Sequence, residues 1–299
     1  MNISICITVL NEEHSIKKLL DSLLNQTVKA KEIVIVDAGS SDNTVKIIKT
    51  YPNIKLIISK NASIAKGRNL AVLRSKNDII AMTDAGCVAK KDWLEKITDP
   101  FLDKGVDAVA GFYLMTGKSD FQKSLKPYLG VLPKNFNKHT FLPSARSIAF
   151  RKSVWEKLGG FNERFERAGE DHEFALKIKN LNLNIAVTKK AIVYWEMPDN
   201  LIQAIKKFYL YSKGDAQSPD LLMSHNIHTL TIFVRYFVFA FSIFLSFINS
   251  YFIFAFLTLI FVYFLWSYLK AGLWGIIIQI SSDVAIMLGF IYGLFSKNI

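Results

Sequence analysis

Two aspartates, Asp37 and Asp84, stand directly after short apolar runs of the sequence. Residues 32–36 and 79–82 form these runs, and both have the composition of buried strands. A carboxylate at the carboxyl end of such a strand is well placed to bind a metal ion or a phosphate-bearing ligand. One carboxylate alone binds a divalent ion weakly, and Gly86 stands two residues after Asp84. We therefore expect Asp84 to act with groups from other parts of the chain.

The other acidic positions have explanations that need no ligand. Residues 37–42, Asp-Ala-Gly-Ser-Ser-Asp, have the composition of a turn, so we assign Asp42 to capping the next helix. Asp37 stands at the strand tip and is kept as a binding residue. Glu170 and Asp171 begin a predicted helix, where the helix dipole stabilises carboxylates.

Strands and helices alternate along the first third of the chain. We predict strands over 3–10, 32–36, 55–58 and 79–82, and helices over 11–24, 41–50 and 62–74. This alternation predicts an α/β fold with a doubly wound, mainly parallel sheet and flanking helices. Because ligands bind outside the carboxyl ends of such strands, we expect residues 8–13, 37–42 and 83–86 to meet in one cleft. No GxGxxG sequence follows the first strand, and there is no P-loop sequence.

The pattern is less regular from residue 108 to residue 225. We predict strands over 108–114 and 147–151 and helices over 153–158 and 170–179. Residues 199–211 have the spacing of an amphipathic helix. Such a helix would lie on a membrane surface or pack against a protein core, and the sequence leaves both open.

The composition changes sharply after residue 225. From 227 to 295 the charged residues are Arg235, Lys270 and Asp283 alone. Three runs, 229–248, 251–269 and 273–295, approach the roughly 20 apolar residues that cross a bilayer. We predict a head domain over 1–225 and a membrane region over 226–299 with two to three transmembrane helices, two being the safer number. No signal peptide opens the sequence, so we expect the head on the cytoplasmic side of the cell membrane.

The net charge of +12 indicates anionic partners. Most of this charge lies on the head, which suits a small anionic substrate or an anionic lipid surface. We find no combined aromatic and basic recognition motif, so we do not expect a nucleic-acid partner. Cys6 and Cys87 suggest no disulfide framework.

Five segments of the head occur in an informative order. They are SICITVLNEE (4–13), EIVIVDAGSSDNT (32–44), AKGRNLAV (65–72), IIAMTDAGC (79–87) and GGFNERFERAGEDHEFALKI (159–178). Together they resemble the motifs of the inverting family-2 glycosyltransferases with the GT-A fold, and the similarity extends over residues 3–215. The resemblance implies a nucleotide-sugar-binding half over 1–110 and an acceptor half over 111–225. The acceptor half includes the amphipathic helix predicted over 199–211, as a helix at the membrane interface.

The resemblance also implies which residues bind the donor, a UDP- or GDP-sugar. The nucleoside would contact Thr8, Leu10, Glu12 and Asp37, with Asp37 bonding to the base. Arg68 belongs to the family's basic segment near the donor.

Asp84 matches the first acid of the family's Asp-any-Asp element, which binds Mg²⁺ or Mn²⁺ with the donor diphosphate. This chain departs from the element at Gly86. The resemblance therefore implies a metal held by one protein carboxylate, with diphosphate and water as its other ligands. Glu196 is a candidate further ligand, whereas Cys87 is disfavoured because thiolates suit softer metals.

For catalysis, the resemblance implies that Asp171 is the general base and that Glu170 supports it or binds the acceptor. The expected function is transfer of a sugar to a hydroxyl acceptor, either lipid-linked or a surface glycan. Two alternatives stay open: a polyprenyl-phosphate glycosyltransferase, and a catalytically inactive nucleotide-sugar-binding scaffold, which Gly86 would favour. Residues 115–145, with Arg146 and Ser147 beside them, are assigned to the acceptor pocket by position.

Overall fold

The first half of the chain forms the alternating strands and helices that its apolar pattern predicts. The computed structural model describes residues 1–130, 133, 136–137, 141–165, 167–218 and 227–296. The first strands are β1 (Ile3–Val9), β2 (Glu32–Asp37), β3 (Ile54–Ile58) and β4 (Ile79–Met82). The helices between them are α1 (Ile16–Leu24), α2 (Thr44–Lys49) and α3 (Ile64–Arg74). The one-sided spacing of α1 is explained by its packing, because its four buried residues are Ile16, Leu19, Leu20 and Leu23.

Further strands complete a mixed sheet. They are β5 (Cys87–Ala89), β6 (Ala108–Thr116), β7 (Ile148–Arg151) and β8 (Ile185–Glu196), and the strand order is β3-β2-β1-β4-β7-β6-β8-β5. The pairs among β1 to β4 and the pair β6–β8 are parallel, whereas β7 runs antiparallel to β4 and β6 and β5 runs antiparallel to β8. The predicted α/β class and mainly parallel sheet are confirmed, although β5 and β8 were not predicted.

The remaining described helices are α4 (Trp93–Thr98), α5 (Asp120–Leu125), α6 (Lys152–Lys157), α7 (Glu170–Asn180), α8 (Leu201–Gln217), α9 (Ile227–Ile248) and α10 (Phe252–Phe295). A short 3-10 turn, Lys126–Tyr128, follows α5. Both cysteines are buried and unpaired.

The chain divides into two compact units. Unit 1 is Met1–Thr116 with Val131–Glu196, and unit 2 is Gly117–Gly130 with Met197–Ile299. Unit 1 contains the sheet, whereas α5, α8, α9 and α10 belong to unit 2. The domain boundary that we predict at 225/226 lies outside the described residues, as does part of the predicted acceptor segment 115–145.

Helix α10 is broken in the middle and folds back on itself. Ala271 and Gly272 have non-helical dihedral angles, with φ at Gly272 of 68°. The Tyr263 hydroxyl donates a 2.8 Å hydrogen bond to Asp283 Oδ2. Residues 20 apart in a straight helix would be about 30 Å apart, so this bond shows that the arms 252–270 and 273–295 lie side by side. The three apolar runs of the sequence therefore correspond to α9 and these two arms.

Helix α8 packs against the second arm of α10. A Cβ atom at Gly289 would lie 2.3 Å from the Tyr209 carbonyl oxygen, and one at Gly293 would lie 2.4 Å from that of Lys213. The Ser212 hydroxyl donates to the Ile286 carbonyl at 2.8 Å. Of the two possibilities left open for this amphipathic helix, packing against protein is therefore observed. Within the described residues, α9 and α10 are long and apolar enough to cross a membrane, which indicates membrane association.

Candidate active site

The loops after β1 and β2 are joined by reciprocal hydrogen bonds. The Asn11 amide donates to Ser40 Oγ at 2.8 Å, and the Ser41 amide donates to Asn11 Oδ1 at 2.9 Å. The Glu12 amide donates to Thr44 Oγ1 at 2.7 Å. Asn11 has a φ of 56°, a left-handed conformation that asparagine tolerates well. These bonds bring the predicted nucleoside-binding segments, 8–13 and 37–42, together as the sheet rule requires.

Asp37 is fully buried and accepts three hydrogen bonds from its own turn. The Gly39 and Ser40 amides donate to its Oδ1 at 2.9 Å each, and the Ser40 hydroxyl donates to its Oδ2. This arrangement fixes the turn and leaves nucleoside binding by Asp37 a prediction. Asp42 accepts from the Thr44 amide at 2.9 Å and lies one position before Asn43, the residue at the N-cap of α2.

Helix α3 approaches the tip of β1 closely because residue 67 is glycine. A Cβ atom at Gly67 would lie 2.7 Å from the Thr8 methyl carbon. Leu10, in the loop beyond β1, is exposed. Because Arg68 follows Gly67 in the same helix, the close packing at Gly67 also fixes the position of the Arg68 backbone relative to the tip of β1.

Arg68 joins two acids that are far away in the sequence. Its Nη2 donates to Asp84 Oδ1 at 2.8 Å, and its Nη1 donates to Glu170 Oε1. The guanidinium is almost fully buried, with 2% of the residue exposed. Burial alone would lower the pKa of Arg68, but Glu170 and Asp84 raise it above its ordinary value. The guanidinium is therefore a fixed positive charge between the end of β4 and the start of α7.

Glu170 and Asp171 are neighbours with opposite pKa shifts. Burial raises the pKa of Glu170 to about 7, even though Arg68 acts in the other direction. Burial would also raise the pKa of Asp171, but His172, Arg68 and the Ala145 amide together lower it below its ordinary value. Asp171 is thus ionised at neutral pH.

The Asp171 carboxylate is held by a segment of irregular backbone before β7. The Ser144 hydroxyl and the Ala145 amide each donate to Asp171 Oδ2 at 3.1 Å. The amide of His172 donates to Asp171 Oδ1 at 3.0 Å. Because two donors fix one oxygen, the direction of the carboxylate is set.

Arg146 is a second basic group beside Asp84. Its Nε lies 3.9 Å from Asp84 Oδ2. Its guanidinium lies 4.5 Å from the ring centre of Trp195 and 4.9 Å from that of Tyr113. The sequence placed Arg146 near an acceptor pocket by position alone. The sequence analysis missed its contact with Asp84. Arg146 lies against Trp195 and Tyr113, and the pairing of their strands, β8 and β6, is seen only in the folded sheet.

The donor set around Asp84 fits a metal ion only when the substrate supplies most ligands. Among the described residues, no group of three or more His, Cys, Asp or Glu side chains is arranged to hold a metal. Within that part of the chain, Asp84 Oδ2 accepts no hydrogen bond, so this oxygen can coordinate a cation that diphosphate and water also bind. Burial raises the pKa of the Cys87 thiol to about 12, which disfavours it as a ligand.

A cavity of about 290 Å³ lies beside Gly86. Lys18, Thr116, Tyr194 and Glu196 contribute to its lining. Glu196 Oε2 is 4.0 Å from Lys18 Nζ. The contact that the structure shows for the Glu196 carboxylate is thus with a lysine. Coordination of a metal by Glu196 stays a prediction.

Two protein-family models match the chain. The model described as "Glycosyl transferase family 2" matches residues 4–159, and the one described as "Glycosyl transferase family group 2" matches residues 131–291. The O-antigen chain rhamnosyltransferase RfbN of Salmonella typhimurium is 28% identical over 214 residues, which is 64% of this chain and 66% of that protein. The glycosyltransferase AglE of Haloferax volcanii is 28% identical over 189 residues, 57% of this chain and 59% of the relative. The matches thus cover less than two thirds of these relatives.

Solved structures share the fold. The mannosyltransferase PcManGT of Pyrobaculum calidifontis, in complex with GDP-Man and Mn²⁺, has a TM-score of 0.70 at 17% identity, over 97% of this chain and 87% of its own. TarS 1–349 of S. aureus, in complex with UDP, has a TM-score of 0.52 at 21% identity, over 73% and 67%. At these identities the likeness concerns the fold, and it agrees with the GT-A-type architecture.

Proposed function

This chain belongs to glycosyl transferase family 2, and we propose on that premise that it is an inverting glycosyltransferase. It would move a sugar from a nucleotide-sugar donor to a hydroxyl group of a lipid-linked or surface-glycan acceptor. The observation that carries this proposal is the cluster in which Arg68 bridges Asp84 and Glu170, with Asp171 next to Glu170. The cluster combines fixed positive charge, a carboxylate open to a cation and an oriented second carboxylate, as displacement of a diphosphate requires.

The donor would bind across the carboxyl ends of β1, β2 and β4. Thr8, Leu10, Glu12 and Asp37 would contact the nucleoside, and Arg68 and Asp84 would face the diphosphate. The structural relatives were solved with UDP or GDP-Man, so we propose a UDP- or GDP-sugar. Asp84 would hold Mg²⁺ or Mn²⁺, and the metal, when bound, would offset diphosphate charge. The same relatives support this cofactor, because PcManGT is in complex with Mn²⁺.

Asp171 would accept the proton of the acceptor hydroxyl. As that oxygen attacks the anomeric carbon, the bond from this carbon to the diphosphate oxygen breaks on the opposite face, and the configuration inverts. Oδ2 accepts two hydrogen bonds, from Ser144 and Ala145, whereas Oδ1 accepts one, from the His172 amide, so Oδ1 would use its second lone pair to receive the proton. Arg68 contributes to the low pKa of Asp171. A bound diphosphate would share this guanidinium charge, so donor binding would raise the pKa of Asp171 and make it a stronger base.

The membrane placement is part of the same proposal. Helix α9 and the two arms of α10 would cross the cell membrane, with the catalytic unit on the cytoplasmic side where nucleotide sugars are available. Residues 1–110 would form the donor half and 111–225 the acceptor half. The two long apolar helices support membrane association, and lipids would be partners of this region.

The replacement Asp171→Asn tests the hydroxyl-acceptor mechanism. It keeps the size of the side chain but removes the base, so transfer should fall by about 10²–10⁴-fold while nucleotide-sugar binding persists. Asp120→Asn, at an exposed position of α5, is the matched control and should transfer normally.

Near-normal transfer by Asp171→Asn would contradict the proposed base. That result would favour a polyprenyl-phosphate acceptor, which is already ionised. Transfer assays with EDTA and with added Mn²⁺ distinguish an active enzyme from the third possibility, a catalytically inactive scaffold. Nucleotide binding without turnover of any nucleotide sugar would indicate an inactive scaffold.

A further inference from the structure

Lys270 is a cation of the apolar helices that has no carboxylate partner among the described residues. Its Nζ lies 3.5 Å from the ring centre of Tyr128 and 3.4 Å from Gln279 Oε1. The apolar region from 227 to 295 contains one acid, Asp283. Whether Asp283 compensates Lys270 depends on what else that carboxylate binds.

Asp283 is committed to other groups. It is fully buried, and its Oδ2 accepts from Arg235 Nη1 at 2.7 Å and from the Tyr263 hydroxyl at 2.8 Å. Its Oδ1 accepts from Gln279 Nε2 at 2.8 Å. Arg235 and Asp283 neutralise each other, so the positive charge of Lys270 is left over.

The leftover charge lies in a cluster that can be reached from outside unit 2. Trp266 lies close to both cations, with Lys270 Nζ 5.1 Å and Arg235 Cζ 5.6 Å from its ring centre. Trp266 is 46% exposed. Together with Tyr128, these residues form what we call the Lys270 cluster: Tyr128, Arg235, Trp266 and Lys270. It presents basic and aromatic groups, and its two positive charges leave one net positive charge once Asp283 is counted against Arg235.

The position of Lys270 along its helix indicates where this charge meets the bilayer. The arm 252–270 has a length of about 28 Å at 1.5 Å per residue, close to the thickness of a hydrocarbon core. Lys270 is its last residue, so one end of the arm places it at the level of the lipid headgroups. Lysine, tyrosine and tryptophan are enriched at that level.

We propose that the Lys270 cluster binds the phosphate group of an anionic membrane lipid. An uncompensated cation among apolar helices is unfavourable, and a lipid phosphate is the anion that the bilayer supplies at this depth. The phosphate would pair with Lys270, and the aromatic rings would contact the adjoining part of the lipid. This inference rests on the membrane placement proposed above and adds to it a defined lipid site.

The test uses the full chain in nanodiscs of phosphatidylcholine, with or without phosphatidic acid. A lipid that binds the folded protein stabilises it, so phosphatidic acid should raise the melting temperature of the unmodified protein by about 5 °C. Lys270→Gln should lose most of this rise, and Lys270→Arg should keep it. Lys206→Gln, at an exposed lysine of α8, is the control and should behave as the unmodified protein.

An equal rise in Lys270→Gln would overturn the proposal. Stabilisation by inorganic phosphate in pure phosphatidylcholine would overturn the assignment to a lipid. Native mass spectrometry of the unmodified protein gives a second measure that needs no variant. Retention of one phosphatidic acid in preference to phosphatidylcholine supports the site, and its absence overturns it. Release of the chain from membranes by alkaline carbonate would instead refute the membrane placement itself.

Discussion

Gly86 leaves Asp84 as the one carboxylate of its segment in the metal site that we propose. A Cβ atom there would come no closer than 3.9 Å to Trp195, its nearest contact. The fold therefore does not require glycine at this position, and an added aspartate has space beside Asp84. The backbone would therefore tolerate a side chain at position 86, and the glycine matters because it provides no metal ligand.

We predict that Gly86→Asp folds normally and changes the metal preference of transfer. A second carboxylate adds a hard oxygen ligand, so the ratio of rates in Mn²⁺ and Mg²⁺ should shift several-fold. Asp84→Ala should abolish the metal-dependent rate. Gly111→Asp is the geometric control and should destabilise the fold, since a Cβ there would lie 2.2 Å from Ser147 Oγ. An unchanged metal ratio in Gly86→Asp would contradict this view of the site.

Glu170 should make the folded protein less stable as the pH rises. Its pKa is about 7 in the folded protein against an ordinary value of 4.5. Between these values the folded state binds more protons than the unfolded chain, so the free energy of unfolding falls with increasing pH. Asp171 does not add to this window, because its pKa is shifted downwards.

Melting temperatures at pH 5.5 and pH 8 test this sign. The fall between the two pH values should be smaller in Glu170→Gln than in the unmodified protein, because glutamine cannot titrate. Glu156→Gln, at an exposed glutamate of α6, should leave the fall unchanged. If Glu170→Gln shows the full fall, the buried glutamate is not its source.

At the scale of elements, close helix packing in unit 2 depends on two glycines one turn apart. Gly289 and Gly293 let the second arm of α10 touch the backbone of α8 near Tyr209 and Lys213. This small-residue spacing is typical of helices that pack at short distance in membranes. The sequence contains the GxxxG pattern, but its partner helix is revealed by the tertiary contacts.

We predict that Gly289→Ala destabilises unit 2. The added methyl group would lie 2.3 Å from the Tyr209 carbonyl, so α8 must move away, at a cost of about 1–3 kcal/mol. A lower melting temperature in detergent measures this. Leu288→Ala removes an exposed side chain from the same arm and should have a smaller effect. If the two variants melt alike, the contact is not a tight one.

At the scale of the whole molecule, the compact units do not follow the change in composition. The sequence suggests a cut at 225/226, where the apolar tail begins. Unit 2, however, combines Gly117–Gly130 with Met197–Ile299. The edge-to-face contact of Phe121 with Trp274, at 5.2 Å, is one interaction that joins the early segment to α10.

A chain that ends at residue 225 should therefore aggregate and not behave as a clean soluble enzyme. Removing α9 and α10 uncovers Ala216 and the α8 backbone at Tyr209 and Lys213, which the second arm of α10 contacts, and it removes the aromatic partner of Phe121. Size-exclusion chromatography compares this truncation with the full chain in detergent. A monodisperse truncated protein without detergent would show that unit 2 is not needed to cover these residues.

The sequence by itself determined the parallel strands β1 to β4, their helices and the apolar tail. These depend on local periodicity and on composition, which neighbouring residues express directly. It also pointed to Asp84, Arg68, Glu170 and Asp171 through motifs in order along the chain. Their catalytic roles stay predictions.

Only the tertiary structure decided which of these groups meet. Arg68 bonds to Glu170, which is 102 positions away in the chain. Arg146 lies near Asp84 while its guanidinium packs on the rings of Trp195 and Tyr113 from two strands. The strands β5 and β8 and the fold-back of α10 were decided in the same way. Such contacts depend on the order of the strands in the sheet and on the break at Gly272. They are stabilised by residues far away in the sequence, which local periodicity cannot identify.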